Sequence, residues 1–113
     1  MSRRSSSLYL DDLIEAGKAI QYYVRDITFE EFTSDRMRQS AVIREFEVIG
    51  EAVGKLPDAL KKSAPDVAWQ DIKDFRNLLI HEYFGVDLAI IWHVVQNDLQ
   101  SLIREVEKMR QSS

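Results

Sequence analysis

Apolar residues recur three and four positions apart through most of the chain, a spacing that predicts amphipathic helices. The first apolar stripe comprises Leu10, Leu13, Gly17, Ile20, Val24 and Ile27. It follows Ser7, a favourable N-cap residue, and predicts a helix that runs to about Asp26. Thr28-Phe-Glu-Glu31 then has the spacing of a capping box and predicts a short helical turn.

A second stripe predicts a helix that starts after Ser34 and ends before Pro57. Its apolar positions keep the same spacing: Val42, Phe46, Ile49, Val53 and Leu56. Gly50 and Gly54 lie four residues apart near its end, without the strand and glycine-rich loop that a phosphate cradle needs. We therefore expect the two glycines to permit close packing against another helix.

The second half of the chain predicts a short helix and two longer ones. Asp58–Lys62 lies between two prolines and predicts one or two turns. The next helix is predicted from about Val67 to Phe84, with Gly85 as its C′ residue. Asp87 can cap a last helix that runs to about Met109. Its apolar seam is Leu88, Ile91, Val95, Leu99, Leu102, Val106 and Met109.

No segment alternates with the period of two that strands require, and the chain has only four Gly and two Pro. The prediction is an all-α, four- to five-helix up-down bundle. With 113 residues it should form one domain over 1–113, with polar, frayed ends at about 1–6 and 111–113.

Composition narrows the possible partners. The formal charge of −4 argues against coating of nucleic acid by bulk electrostatics, although it permits a local phosphate site. The chain has no cysteine and two histidines without metal-ligand spacing, so we expect no metal and no cofactor. No apolar run approaches the roughly 18 to 20 residues of a membrane span, and we expect a cytoplasmic protein with no membrane contact.

The predicted helix over 67–84 departs from a simple amphipathic pattern. At about 100° per residue, one third of its circumference carries an apolar face. That face comprises Ile72, Phe75, Leu79 and, at its edge, Tyr83. On the other side of Arg76, a polar ridge is formed by Lys73, Asn77 and His81 at four-residue spacing. Ile80 and Phe84 fall within this polar arc, which predicts a partner surface rather than open water.

Arg76 and His81 are the candidate catalytic residues. A guanidinium can fork two donors onto phosphate oxygens, and an imidazole can exchange a proton near neutral pH. Their five-residue spacing places them about 140° apart on a helix, so a cleft between two copies of the helix would unite them more easily. Asn77 could orient the reacting groups. Spacing alone leaves open a surface arginine and a partly buried histidine with no catalytic role.

The same residues carry a family resemblance. Arg76-Asn-Leu-Leu-Ile-His81-Glu-Tyr83-Phe-Gly-Val-Asp87 resembles the R-x4-H-x-Y signature of HepT-type toxins in the HEPN superfamily. Three other blocks, Ala41–Ala52, Trp69–Ile72 and Ile91–Leu99, resemble the family in the same order. The similarity extends over roughly residues 8 to 108.

The resemblance implies an α-helical dimer that cleaves RNA, with Arg76 and His81 as catalytic residues. The polar ridge adds Lys73 and Asn77 as supporting residues, and Ile80 and Phe84 are predicted to lie in a homodimer interface through this helix. The resemblance further implies the toxin of a type VII toxin–antitoxin system. Its antitoxin would be a minimal nucleotidyltransferase like MntA, which transfers AMP to the motif tyrosine, Tyr83. Asp74 departs from the family pattern, which more often has a small residue there.

Two other functions remain open on the sequence. The same groove could bind a nucleotide or RNA without cleaving it, or the chain could be a purely structural dimerising bundle. Away from the ridge, we expect Trp69 and Trp92 to anchor the core and His93 to be solvated or to act as a cap. Lys61 and Lys62 could approach RNA phosphates but are interpreted as a solvated pair.

Overall fold

A computed structural model describes residues 5–81 and 87–112, and all regular structure within these ranges is helical. The seven helices are α1 (Ser6–Tyr23), α2 (Phe29–Thr33), α3 (Arg36–Lys55), α4 (Asp58–Lys62), α5 (Trp69–His81), α6 (Leu88–Asn97) and α7 (Leu99–Ser112). The all-α bundle predicted from the sequence is confirmed. None of the described helices combines the length and apolarity that a bilayer span requires.

Side-chain caps fix where the first helices begin. Ser5, two residues before the predicted cap, accepts the backbone N–H of Ser7. The predicted capping box of α2 is confirmed, because Thr28 and Glu31 each accept the other's backbone N–H. Asp35 caps α3 by accepting the backbone N–H of Arg38, and this bond is the main reason that the pKa of Asp35 lies below its ordinary value.

The first predicted helix extended too far. α1 ends at Tyr23 rather than near Asp26, because Asp26 adopts a φ of 59° in the left-handed region, which a right-handed helix cannot include. Arg38 of α3 donates to the backbone carbonyl of Tyr23 and so satisfies one of the open carbonyls at this helix end.

The core lies where α1 packs against α3 and α7, and α3 packs against α5. Among the described residues, the largest fully buried side chains are those of Phe32, Leu10, Ile20, Ile49, Leu79, Ile91, Leu99, Val42, Val53 and Val106. Trp92 is half-buried against this core, with its ring centroid 5.4 Å from Phe32 and 5.9 Å from Phe29. Its predicted role as an anchor is confirmed, and it attaches α2 to α6.

The last predicted helix is divided at Asp98, so the prediction of one continuous helix was wrong. Asn97 donates through its side-chain amide to the backbone carbonyl of His93, a bond that competes with regular helix formation. Asn and Asp are also weak helix formers. The apolar seam nevertheless continues across the break, with Ile91 and Val95 buried before it and Leu99 after it. His93 is exposed, as expected.

The short helix α4 is tied to its neighbours by two residues. Lys61 is largely buried: its ammonium lies 3.4 Å from the carbonyl of Val53 and 3.8 Å from Asp58. The prediction of a solvated lysine pair is therefore wrong for Lys61, whereas Lys62 is exposed. Trp69 anchors the start of α5, since its indole N–H donates to the carbonyls of Lys61 and Ala64 at 3.0 and 3.1 Å.

Candidate active site

The apolar face of α5 docks on α3. Leu79 is buried, and Ile72 and Phe75 are partly buried against the core. The rings of Phe75 and Phe46 meet edge to face with centroids 5.1 Å apart. These three positions confirm the predicted core face, while Tyr83 lies outside the described residues. The contact region between α3 and α5 is called here the α3–α5 seam. Docking along the apolar face determines which α5 side chains reach this seam and which remain outside it.

Arg76 lies in that seam, directly against Gly50 of α3. A side-chain Cβ built at Gly50 would overlap the Cβ and Cγ of Arg76 and come within 3.1 Å of its Cδ. The predicted use of Gly50 in close helix packing is confirmed, and its partner is the candidate catalytic arginine. A Cβ built at Gly54 would meet no atom within 4 Å in the described structure, so the same prediction was wrong there.

The guanidinium of Arg76 is only partly solvated. Its Nε atom is buried and has no hydrogen-bond partner among the described residues, although the residue as a whole is half-buried. A buried donor without a partner is costly, and functional sites are one place where proteins retain one. The aliphatic stem and Nε of Arg76 are thus enclosed, and solvent reaches only the rest of the side chain.

The predicted polar ridge beside Arg76 is partly accessible to solvent. Asn77 and His81 are exposed and Lys73 is half-buried. No hydrogen bond joins Arg76 to His81 within the described part of the chain, as expected from their angular separation of about 140°. A single chain therefore displays the two groups on neighbouring parts of its surface rather than as a bonded pair.

Asp74, which was predicted to depart from the family pattern, lies on α5 two residues before Arg76. Its carboxylate accepts the side-chain amide of Gln70 at 2.9 Å, one turn towards the N-terminus of α5. Arg76 lies towards the C-terminus. The carboxylate is thus engaged on the side away from the candidate catalytic arginine.

A cavity of about 460 Å³ adjoins the polar ridge, and we call it the lysine cavity. Its lining residues are Asp58, Lys61, Lys62, Pro65, Trp69, Gln70 and Lys73. Lys73 belongs both to this cavity and to the ridge. At about 100° per residue, Trp69, Lys73 and Gln70 project from the same side of α5 as Ile80 and Asn77. Lys73 thus links the candidate site to the lysine cavity, in which Lys62 is exposed and Lys61 is largely buried.

A larger cavity of about 520 Å³ lies on the opposite side of α5, and we call it the acidic groove. Its floor is apolar and includes Phe75, Ile72 and Leu102. Its carboxylates are Asp66, Asp71, Asp98 and Glu105. No lysine or arginine lines it among the described residues. This groove was not predicted from the sequence, because its walls come from α3, α5 and the break between α6 and α7.

Ile80 is the apolar residue predicted for a partner surface, and 38% of it is exposed. Leu78 is similarly exposed at 41%, but about 160° away around the helix. Phe84, the second residue predicted for this surface, lies outside the described residues. Ile80 is therefore exposed on the same side of α5 as the polar ridge, as its helical position predicts.

An all-α bundle that presents arginine, asparagine and histidine from one helix has the architecture and residue types expected for a HEPN-type nuclease. The family model described as Ribonuclease HepT-like matches residues 13–109. The chain therefore belongs to the HepT-like ribonuclease family, which confirms the resemblance inferred from the motif.

Relatives of known name agree with this assignment. A "Probable ribonuclease HepT" of Thermococcus cleftensis is 42% identical over 108 residues, covering 96% of this chain and 98% of the relative. A "Putative RNase" of Methanocaldococcus jannaschii is 40% identical over 109 residues, covering 96% and 90% of the two chains. Another, from Caldanaerobacter subterraneus, is 35% identical over 103 residues, covering 91% and 92%. No solved structure matches the chain significantly.

Proposed function

We propose that the protein is a metal-independent endoribonuclease. Family membership and the names of the relatives support ribonuclease activity. The observation that carries the proposal is the enclosure of Arg76 in the α3–α5 seam, beside a ridge that continues into the lysine cavity. This arrangement pairs a fixed cation with a surface that attracts phosphate.

In the proposed reaction, the 2′-hydroxyl oxygen of the RNA attacks the adjacent phosphorus and displaces the 5′-oxygen of the next nucleotide. His81 either removes the proton of the 2′-hydroxyl or supplies a proton to the leaving 5′-oxygen, and solvent water exchanges the other proton. Arg76 stabilises the charge that develops on the phosphoryl oxygens. Lys73 binds the strand and Asn77 orients the reacting groups. The products are a 2′,3′-cyclic phosphate and a 5′-hydroxyl.

The decisive experiment measures cleavage of a labelled single-stranded RNA by the purified protein in EDTA. We expect a 2′,3′-cyclic phosphate product, and no cleavage of the matching DNA, which lacks the 2′-hydroxyl. Arg76→Ala and His81→Ala should each lower kcat by about 10²- to 10⁴-fold, with unchanged circular dichroism. Activity that EDTA abolishes and magnesium restores would refute the mechanism. RNA binding without cleavage would identify a binding module instead.

We further propose a homodimer through the exposed side of α5. Ile80 is the observed apolar residue on this side, and pairing two copies would bring Arg76 of one protomer towards His81 of the other. Ile80→Glu should shift a micromolar dimer towards monomer in sedimentation, because it would bury an unpaired charge. Leu78→Glu is the matched control, since Leu78 is equally exposed on another side of α5. A wild-type monomer, or equal effects of both changes, would contradict the proposal.

The proposal includes the toxin role and its control by a minimal nucleotidyltransferase antitoxin like MntA. AMP on the Tyr83 hydroxyl would add a phosphate charge close in sequence to Arg76 and block RNA access by bulk. Expression should arrest growth, and His81→Ala should relieve the arrest. Mass spectrometry after co-expression with the antitoxin should find AMP on Tyr83, and Tyr83→Phe should escape neutralisation. Modification at another residue would exclude this route of control.

A further inference from the structure

We infer that Gly50 is a positioning residue for Arg76. Because Gly50 has no side chain, the stem of Arg76 can pack against α3 and direct the guanidinium to the position that catalysis requires. The catalytic part of this inference rests on the proposed ribonuclease function. Its structural part, the dependence of Arg76 on Gly50, stands on the geometry of the α3–α5 seam alone.

The contact between Gly50 and Arg76 leaves no room for a side chain on α3. A Cβ at Gly50 would overlap the Cβ and Cγ of Arg76 and lie 3.1 Å from its Cδ. The Cβ of Arg76 is attached to the α5 backbone, so a rotamer change cannot relieve the whole overlap. Any side chain at Gly50 must therefore push α5 away from α3 or displace the stem of Arg76. Glycine is the residue that permits this close approach.

The burial of Arg76 also supports the inference that Gly50 positions it. Its Nε is buried without a hydrogen-bond partner among the described residues. Among those residues, packing rather than a hydrogen bond therefore holds this part of the guanidinium. Since the stem crosses Gly50, the direction in which the charged group leaves the seam depends on the absence of a side chain there.

Two other glycines provide matched controls. Gly54 lies on the same helix, and a Cβ built there meets nothing within 4 Å in the described structure. Gly17 is also tightly packed, but a Cβ there would overlap only the side chain of Ile103 on α7, at 2.7 and 2.9 Å. Gly54→Ala therefore measures the effect of replacing glycine by alanine within α3 without a steric overlap. Gly17→Ala measures the effect of a steric overlap that does not involve Arg76.

The experiment compares Gly50→Ala, Gly17→Ala and Gly54→Ala in the RNA cleavage assay, with rates corrected for the folded fraction. We expect Gly50→Ala to lower kcat by about 10²-fold, the scale expected for displacement of a catalytic group by about 1 Å, with a smaller change in KM. Gly17→Ala and Gly54→Ala should keep kcat within about threefold of wild type. A similar loss of kcat in Gly17→Ala, or none in Gly50→Ala, would overturn the catalytic inference.

Two measurements that need no activity test the structural part. The Nε–H resonance of Arg76, assigned by its loss in Arg76→Lys, should exchange with solvent at least tenfold more slowly than those of exposed arginines. Gly50→Ala should remove this protection. In thermal melts, Gly50→Ala should lower Tm in the wild-type background but much less in Arg76→Gly, which lacks the overlapping side chain.

These results separate the catalytic role of Gly50 from its contact with Arg76. An inactive wild-type protein that shows the Arg76 protection and the coupling in Tm would refute the ribonuclease proposal while retaining the Gly50–Arg76 contact. Equal losses of Tm in the two backgrounds would overturn the positioning inference even if RNA is cleaved. If Gly50→Ala alone does not fold, the double variant decides: recovery of folding with Arg76→Gly supports the contact, and failure to recover refutes it.

Discussion

The two sides of helix α5 differ in charge although they share one backbone. The lysine cavity on one side carries three lysines and one aspartate. The acidic groove on the other side has four carboxylates around an apolar floor, without a lysine or arginine among its described lining residues. The formal charge of −4 is thus an average that hides opposite local fields.

This difference in charge determines where an RNA strand can approach. Electrostatic interactions between exposed charges act over about 10 Å at 0.1 M salt, comparable with the width of a helix including its side chains. A polyanion is therefore attracted along the lysine cavity and the polar ridge and repelled from the acidic groove. The candidate catalytic residues lie on the attractive side, because Lys73 is shared by the cavity and the ridge.

The largest expected effect in this comparison concerns the side of α5 that carries the acidic groove. Phe75→Ala removes a ring that packs on Phe46 and forms part of the acidic groove's floor. Since Phe75 is only partly buried, the free energy of unfolding should fall by about 2 kcal/mol, below the roughly 3–5 kcal/mol of a fully buried Phe. Urea denaturation measures the loss, and Phe75→Leu should lose clearly less. Equal losses would show that ring packing is unimportant.

The next effect tests the basic side. Lys62→Glu with Lys73→Glu should raise the Kd for single-stranded RNA about tenfold at low salt. The slope of log affinity against log salt should fall by about 1.4, since each phosphate contact to a single strand contributes about 0.7. Fluorescence anisotropy over a salt series gives both quantities.

The control for this experiment is Lys18→Glu with Lys108→Glu, on α1 and α7. It makes the same change in net charge, but Lys18 pairs with Glu107 and Lys108 with Glu105, away from the lysine cavity. Its salt slope should stay near the wild-type value. If both pairs weaken binding equally, net charge rather than the lysine cavity controls the encounter with RNA.

The smallest effect concerns how the lysine cavity is held in shape. Trp69→Phe removes the indole donor to the carbonyls of Lys61 and Ala64, which should cost about 1 kcal/mol. Amide hydrogen exchange in α4 should become about fivefold faster, while amides in the middle of α1 keep their rates. Unchanged amide exchange in α4 would mean that the indole hydrogen bonds do not stabilise the part of the lysine cavity that α4 forms.

Much of the fold could be predicted because it depends on local periodicity. The apolar stripes gave the buried faces of α1 and α3, and the spacing of Thr28 and Glu31 gave the cap of α2. The break at Asp98 could not be predicted in this way. The apolar seam passes through Leu99 without interruption, so periodicity does not distinguish one continuous helix from two.

The candidate site was predictable in its residues but not in its contacts. The order Lys73, Arg76, Asn77 and His81 follows from the sequence of one helix. That Arg76 meets Gly50 depends on how α5 docks on α3, and periodicity contains no information on that pairing. Gly50 and Gly54 are the same residue four positions apart, yet only Gly50 meets another helix among the described residues.

The pairing of α1 with α7 has a consequence for synthesis on the ribosome. Asp11 accepts a hydrogen bond from Arg110 at 2.7 Å across 99 residues of sequence, and Lys18 pairs with Glu107 nearby. At a synthesis rate of roughly 5–20 residues per second, α7 is completed on the order of 5–20 s after α1. The helices that carry Gly50 and Arg76 are synthesised before α7, so one flank of α1 exposes apolar surface until α7 has been made. Chaperone access to that flank would then fall within this interval.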